Sequence, residues 1–285
     1  MKSKKVNIET KNNSAMKSKN GNKFDSSEIF ISGKINIDKL LESRHLLEID
    51  KNREFIIDDS LIIIGKRISR IGIKDIFIDI NNDSFVSRER IAYWIYSLKK
   101  EGISNLYIIN SQVNFTDVEE WKDLGLSGYI LKFTNIAEKN SSANKMIKKG
   151  DEVNPSIGIQ FGFHNISINN KERKTLKNLI RSFNPTITII EIDDNILNEN
   201  SIDLLPGMVD EISPLTKEIY ISFGNIELLN EKCIENMMKC KTDKYIFDFS
   251  HGLQLNGQSD SSIKDLKPIV KSFSNVKRMF SPKGK

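Results

Sequence analysis

Cysteine and long apolar runs are both scarce in this chain of 285 residues. Its two cysteines, Cys233 and Cys240, form no CxxC pair and cannot build a disulfide framework, so we expect reduced thiols in a cytosol-like compartment. No apolar run approaches the roughly 18 residues that a membrane span needs. The N-terminal residues show no apolar core of a secretory signal. We therefore predict a protein that is cytoplasmic or secreted by a non-classical route.

Histidine is also rare, with three in the whole chain. The sequence contains no HxH, HExxH or DxD arrangement and no glycine-rich phosphate-binding loop of the GxGxxG or Walker type. From these absences we predict that the protein has no cofactor and no metal centre. Phe24 is the one aromatic residue within residues 1–28, so a strip of base-stacking side chains is not expected there.

The positive charge is concentrated at the two ends of the chain. Residues 1–28 carry seven lysines against three acidic residues, and residues 266–285 carry six basic residues and no acidic one. The formal net charge is +5, so the body between these ends is net acidic. We interpret the ends as solvated segments that keep the protein soluble. Docking of the basic ends on nucleic acid or an anionic membrane is the alternative.

A change of composition divides the chain into three segments. Residues 1–27 are too polar to form a packed core and are predicted to be a flexible tail. Residues 28–72 are predicted to be an N-terminal capping unit, and residues 73–285 an array of repeats. In the array, short runs rich in Ile and Phe have the period of two that is typical of strands. These runs are Ile76–Ile80, Leu106–Ile109, Tyr129–Phe133, Ile157–Phe163, Ile187–Ile192, Ile219–Phe223 and Tyr245–Phe249.

Amphipathic stretches with helical periodicity separate these runs, as in Val86–Glu101, Lys171–Phe183 and Leu228–Met238. Strands that alternate with helices predict parallel strands joined by crossovers. The interval between successive strands is regular, close to 30 residues in most cases. A proline marks the same place before three of the strands, at positions 155, 185 and 214.

The repeats resemble the leucine-rich repeat, whose pattern is L-x-x-L-x-L-x-x-N/C-x-L. The matching positions are Ile103, Leu106, Ile108, Ser111 and Val113; Leu126, Tyr129, Leu131, Thr134 and Ile136; Ser156, Ile159, Phe161, His164 and Ile166; Ile187, Ile190, Ile192, Asn195 and Leu197; and Thr216, Ile219, Ile221, Gly224 and Ile226. Their length resembles the long, ribonuclease-inhibitor-like subtype. The resemblance implies an open horseshoe solenoid that serves as a protein–protein interaction scaffold.

A closed (β/α)8 barrel is the alternative fold, because eight βα units at this spacing would also describe one. Its strands are then counted at 54–57, 76–80, 105–109, 129–133, 157–163, 187–192, 219–223 and 245–249, with a remnant near 276–280. We favour the solenoid because an apolar residue recurs after each of five strands. A solenoid needs that residue to turn the chain under its own core, whereas a barrel has no reason to repeat it.

Both folds place the candidate functional residues on one face of the sheet. The solenoid presents that face to a protein partner, expected to be neutral or basic, and assigns no catalytic residue. Its partner-binding residues are Tyr107, Lys132, Gln160, Glu191, Asp193, Tyr220, Ser222 and Asp248. The barrel instead uses carboxylates at the strand ends for acid–base or metal-assisted hydrolysis. Its site residues are Asp79, Glu191, Asp193, Asp248 and His251.

Overall fold

The computed structural model describes residues 30–43, 53–80, 86–111, 115–133, 156–163, 170–192, 200–224, 236–237, 239–240 and 242–250. The predicted basic ends lie outside these residues. The described strands β1–β8 are Phe30–Asn36, Asp75–Asp79, Asn105–Asn110, Gly128–Phe133, Ser156–Gly162, Ile187–Ile192, Glu218–Phe223 and Lys244–Asp248. The described helices α1–α6 are Ile37–Ser43, Arg53–Arg70, Arg88–Lys100, Phe115–Asp123, Asn170–Phe183 and Leu205–Ile212. None of these helices is long and apolar enough to cross a membrane.

The eight strands form one closed parallel barrel in sequence order. Closure is made by β1, which pairs with β2 on one side and with β8 on the other. In β1, Lys34 is opposite Phe77 of β2 and also opposite Asp248 of β8. The fold is therefore a (β/α)8, or TIM-type, barrel.

The predicted leucine-rich-repeat-like solenoid is wrong. An open solenoid leaves its first and last strands unpaired at one edge, whereas here β8 and β1 are joined by backbone pairing from Phe30↔Lys244 to Lys34↔Asp248. The apolar residues whose recurrence favoured the solenoid lie outside the described residues. The (β/α)8 alternative fits the observed closure, but its first strand was placed at 54–57, which lies within helix α2.

The period of two in the strands separates two buried faces. In β5, Ile159 and Phe161 point outward to the helices, while Gly158 and Gln160 point into the barrel. A large apolar core fills the space between the sheet and the surrounding helices. A second, smaller apolar cluster fills the barrel itself. Most side chains on both faces of the strands are thus removed from water, as parallel sheets require.

The helices cover the outer face because their apolar residues recur at helical spacing. Helix α3 begins after Ser87, whose hydroxyl accepts a hydrogen bond from the Arg90 backbone N–H. Helix α3 packs on α2 through the Asp58 carboxylate, which accepts bonds from Arg90 Nε at 2.9 Å and from Trp94 Nε1 at 2.5 Å. The apolar faces of α2 and α3 are Ile57, Leu61, Ile64 and Ile68, and Ile91, Trp94, Ile95 and Leu98.

Inside the barrel, side chains from alternate strands lie in layers of four, because the register shifts by about one residue from strand to strand in a barrel of shear 8. One layer that crosses the barrel is entirely apolar and consists of Phe77, Ile130, Ile189 and Ile246; we call it the apolar layer. The layer below it, toward the N-terminal ends of the strands, consists of Ser32, Tyr107, Gly158 and Tyr220. Phe77 stacks on Tyr107 at 4.5 Å between ring centroids. These layers close the barrel axis.

Gly158 has no space for a side chain within this packing. A Cβ atom there would lie 2.4 Å from Ile130 Cδ1 and 2.8 Å from the Ile187 carbonyl oxygen. We expect Gly158→Ala to lower the free energy of unfolding by about 1–3 kcal/mol, because the strands must separate to admit the methyl group. Denaturant unfolding followed by circular dichroism measures this loss.

The matched control is Gly207→Ala in helix α6, where a Cβ would meet nothing within 4 Å. This variant is expected to be as stable as wild type or more stable by up to about 1 kcal/mol, because alanine favours helix. Equal stabilities for the two variants would contradict the close packing at Gly158.

Candidate active site

A layer of charged side chains lies above the apolar layer, at the C-terminal ends of the strands. We call it the rim layer; its members are Asp79 of β2, Lys132 of β4, Glu191 of β6 and Asp248 of β8. Between the rim layer and the apolar layer lies a middle layer of Lys34, Ile109, Gln160 and Ser222, from β1, β3, β5 and β7. The side chains of both layers point into the barrel, because on each strand they lie an even number of residues from the inward-facing residues of the layers below.

Lys34 is a deeply buried lysine, with its side chain 1% exposed. Its Nζ donates to Glu191 Oε1 at 2.5 Å and lies 4.0 Å from Asp248 Oδ2. Burial alone would lower the pKa of Lys34, but the carboxylates of Glu191, Asp248 and Asp79 outweigh it and raise that pKa. Lys34 is therefore a fixed cation that joins β1 to β6 across the barrel.

Asp79 is fully buried beside a second lysine. Lys132 Nζ donates to both its carboxylate oxygens, at 2.9 Å and 3.2 Å, and Asn36 Nδ2 donates to Oδ2 at 3.3 Å. Burial raises the pKa of Asp79, and the nearby Lys132 and Lys34 offset this rise only in part. Asp79 thus holds a proton more readily than an ordinary aspartate.

Glu191 shows the opposite behaviour. Burial acts to raise its pKa, but Lys34 and Lys132, together with hydrogen bonds from Lys34 and Gln160, lower it to about 2. Gln160 Nε2 donates to Glu191 Oε2 at 2.8 Å. Glu191 is therefore an anion throughout the physiological range, while Asp79 lies nearer to its own titration.

Asp248 ties the end of β8 to the start of α1. Lys39 Nζ donates to its Oδ2 at 3.2 Å, and Ser250 donates to its Oδ1 from the backbone N–H and the hydroxyl. The Ser250 hydroxyl in turn accepts the backbone N–H of Asn36 at 2.6 Å. Asn36 also caps α1, since its Oδ1 accepts the Lys39 backbone N–H at 3.0 Å. These bonds hold the mouth of the barrel at the β1–β8 closure.

The residues predicted from the sequence fall into three groups. Asp79, Lys132, Glu191 and Asp248 come together in the rim layer, with Gln160 and Ser222 directly below. Tyr107 and Tyr220 lie at the opposite end of the barrel. Asp193 and His251 lie outside the described residues.

The open sheet face on which a protein partner was expected to bind does not exist. The same face is the inside of a closed barrel, and burial raises the pKa of Tyr107 there to about 12. Tyr220 is in the same layer and packs edge-on against Phe77. The scaffold function that depended on an exposed face is therefore overturned. The protein partner itself, and the alternative docking of the basic ends on nucleic acid or an anionic membrane, stay predictions.

Sequence reasoning missed Lys34, Asn36 and Lys39, and it assigned no role to Ser250. One sequence signal for Lys34 was present in the segment Phe30–Asn36. There, polar residues at 32, 34 and 36 alternate with Ile31 and Ile35, as in a strand with one polar face. A lysine at such a position in a buried strand needs a carboxylate partner. The barrel count that began at 54–57 left this strand out of the site.

Among the described residues, no three His, Cys, Asp or Glu side chains are grouped so that they could hold a metal ion. The three carboxylates of the mouth are instead separated by ammonium groups. Lys34, Lys39 and Lys132 each lie within 3.2 Å of a carboxylate oxygen. The donor set is that of an ion-pair network.

Comparison of the sequence with protein families and with curated proteins finds no match. Solved structures do share the fold. A mutant tryptophan synthase alpha-subunit from Pyrococcus furiosus has a TM-score of 0.56 at 9% identity, covering 87% of this chain and 98% of that one. Tryptophan synthase from M. tuberculosis has a TM-score of 0.55 at 6% identity, covering 87% and 93%.

A truncated 3-deoxy-D-arabino-heptulosonate 7-phosphate synthase from Thermotoga maritima has a TM-score of 0.53 at 13% identity, covering 88% of this chain and 87% of that one. At these identities the likeness concerns the fold alone. It agrees with a TIM-type barrel and overturns the resemblance to leucine-rich repeats.

The opposite pKa shifts of Asp79 and Glu191 predict opposite pH dependences of stability. Asp79 contributes stability that is fully present below its unfolded pKa of about 3.9 and is lost as pH rises through the higher folded pKa. We therefore expect the free energy of unfolding of Asp79→Asn, relative to wild type, to increase as pH rises above about 4.

Glu191 contributes stability that is present above its unfolded pKa of about 4.3 and is lost as pH falls toward the folded pKa of about 2. The deficit of Glu191→Gln relative to wild type should shrink over that interval, by on the order of 2–3 kcal/mol. Denaturant unfolding of the three proteins at a series of pH values measures both slopes. Slopes of the same sign would contradict the assigned shifts.

Proposed function

We propose that this chain is an enzyme that carries out acid–base chemistry on a small polar molecule at the C-terminal mouth of its barrel. The observation that carries the proposal is the arrangement of two rim-layer carboxylates at the C-terminal ends of the strands, each bonded to a different lysine: Asp79 to Lys132 and Glu191 to Lys34. The pKa values of the two carboxylates are displaced in opposite directions, upward at Asp79 and downward at Glu191. Two carboxyl groups with pKa values displaced in opposite directions allow one site to hold a proton-exchanging group beside a permanent anion.

Asp79 is the group that exchanges protons. A carboxyl with a raised pKa gives up and takes back a proton nearer to neutral pH than an ordinary aspartate does. When Asp79 transfers its proton to the substrate, Lys132 Nζ at 2.9 Å stabilises the carboxylate that is left. The reverse transfer restores the neutral acid, so the group can serve as acid and as base in turn.

Glu191 and Lys34 organise the site. Glu191 stays ionised and holds the Lys34 ammonium and the Gln160 amide in place. Fixed charges in a site screened from water cost no reorganisation when charge develops on the substrate. The buried ion pair at Lys34 therefore keeps the site rigid while Asp79 changes its protonation state.

The position of the charges supports this function. TIM-type barrels that are enzymes keep their active sites at the C-terminal ends of the strands. The rim layer lies at that end, above an apolar layer that closes the barrel axis. The barrel neighbours named above include a synthase and a synthase subunit, and this likeness adds support for the location only by analogy of fold.

Solvent deuterium exchange tests the proposal while the substrate is still unidentified. The full chain is incubated in D2O with a panel of small hydroxy, keto and amino compounds, and loss of carbon-bound hydrogen is followed by proton NMR. We expect at least one compound to exchange or to be converted, and Asp79→Asn to slow that reaction by about 10²–10⁴-fold.

The matched control is Asp75→Asn, the same substitution on the same strand at the other end of the barrel, where Asp75 accepts a hydrogen bond from Asn105. This variant should retain the wild-type rate. A wild-type protein inactive across the panel, or an Asp79→Asn variant as active as wild type, would contradict the proposal.

A further inference from the structure

Two buried polar atoms of the middle layer have no hydrogen-bond partner in the structure: Gln160 Oε1 and Ser222 Oγ. Both side chains are 0% exposed. Leaving such an atom unpaired costs about 1–3 kcal/mol, so native interiors rarely tolerate it without a reason. Here both atoms are at the same height in the barrel, on β5 and β7, the two strands that flank Glu191 on β6.

The orientation of the Gln160 amide follows from Glu191. An ionised carboxylate only accepts hydrogen bonds, so the Gln160 side chain must turn its NH2 group to Glu191 Oε2, at 2.8 Å. Its carbonyl oxygen is left to face elsewhere. That oxygen is a hydrogen-bond acceptor, so a group that bonds to it must carry an O–H or N–H donor.

With Asp79, Glu191 and Asp248 all ionised, the charge balance of the mouth disfavours an anion as that group. Three ammonium groups, those of Lys34, Lys39 and Lys132, are each already bonded to a carboxylate. An added anion would have to displace one of these carboxylates or lie against them without a counter-charge, and both are costly in a buried site. A neutral donor meets no such penalty.

The approach to these atoms is free of side chains from their own strands. Two residues further along β5 stands Gly162, and two residues beyond Ser222 stands Gly224. Both are glycines, so neither places a Cβ over the middle layer. On the opposite side, Asn36 of β1 occupies the corresponding place and is bonded to Asp79.

We propose that Gln160 and Ser222 form a subsite for a neutral hydroxyl group, and that the ligand is an uncharged, polyhydroxylated small molecule. A hydroxyl can donate a hydrogen bond to Gln160 Oε1 and accept one from the Ser222 hydroxyl, so the same kind of group supplies a partner for both atoms. The inference rests on the proposed function, because it names the substrate class of the same site, and it places the bound hydroxyl just below the rim layer that contains Asp79.

Ligand-observed NMR on the full chain tests the subsite, with glycerol, erythritol and ribitol as neutral probes and with ribonate and ribitol 5-phosphate as charged analogues. We expect a neutral polyol to bind, and Ser222→Ala to weaken its binding about fivefold to tenfold. The charged analogues should bind more weakly than ribitol.

The control is Thr188→Val, which removes another buried hydroxyl without a partner, on the outer face of β6 toward the helices. It should leave polyol binding unchanged. Both variants should be at least as stable as wild type, because each removes an unpaired polar atom. Loss of stability in Ser222→Ala alone would mean that its hydroxyl has a structural role instead.

The proposal is overturned if no neutral probe binds at tens of millimolar, if a charged analogue binds more tightly than ribitol, or if Ser222→Ala binds as wild type does. These failures are distinct from failure of the acid–base function. Deuterium exchange that depends on Asp79, with binding that does not depend on Ser222, would leave the function in place and remove the subsite.

Discussion

Closure of the sheet between β1 and β8 is the constraint on which the rest of the structure depends. Because Lys34 pairs with Phe77 on one side and with Asp248 on the other, no strand of the barrel has a free edge. Closure turns the inner face of every strand into a buried interior. Each inward polar group at that depth then needs a partner within the barrel or from a bound ligand, since water no longer supplies one.

The two ends of the barrel axis meet this demand differently. Toward the N-terminal ends of the strands, aromatic and isoleucine side chains fill the interior, as where Phe77 packs on Tyr107 and Tyr220. Toward the C-terminal ends, lysines and carboxylates neutralise each other. Ion pairs at this depth are weak contributors to stability, because desolvation offsets their attraction. They lie at the end where barrel enzymes bind substrates, and the proposed function assigns them a role in chemistry for that reason.

Much of the local structure could be predicted from residue patterns. The strand at Ile187–Ile192 has its predicted limits, and the predicted run Tyr245–Phe249 differs from β8 by one residue at each end. The strand predicted at 54–57 was wrong, because the apolar run Phe55–Ile57 belongs to a helix whose buried face continues through Leu61 and Ile64. A run of three apolar residues has too few positions to distinguish a period of two from one of 3.6.

The sequence by itself determined most of the segments that are strands or helices, and which parity of those strands is polar, because these depend on neighbours a few residues apart. It also placed Asp79, Lys132, Glu191 and Asp248 on one face. Only the tertiary structure decided whether that face is open or enclosed. A solenoid and a barrel demand the same alternation along each strand and differ in the pairing of the first strand with the last. That pairing joins Phe30 to Lys244, and no local pattern encodes contacts so distant along the chain. The pairing of Lys34 with Glu191 follows from the same closure and was hidden for the same reason.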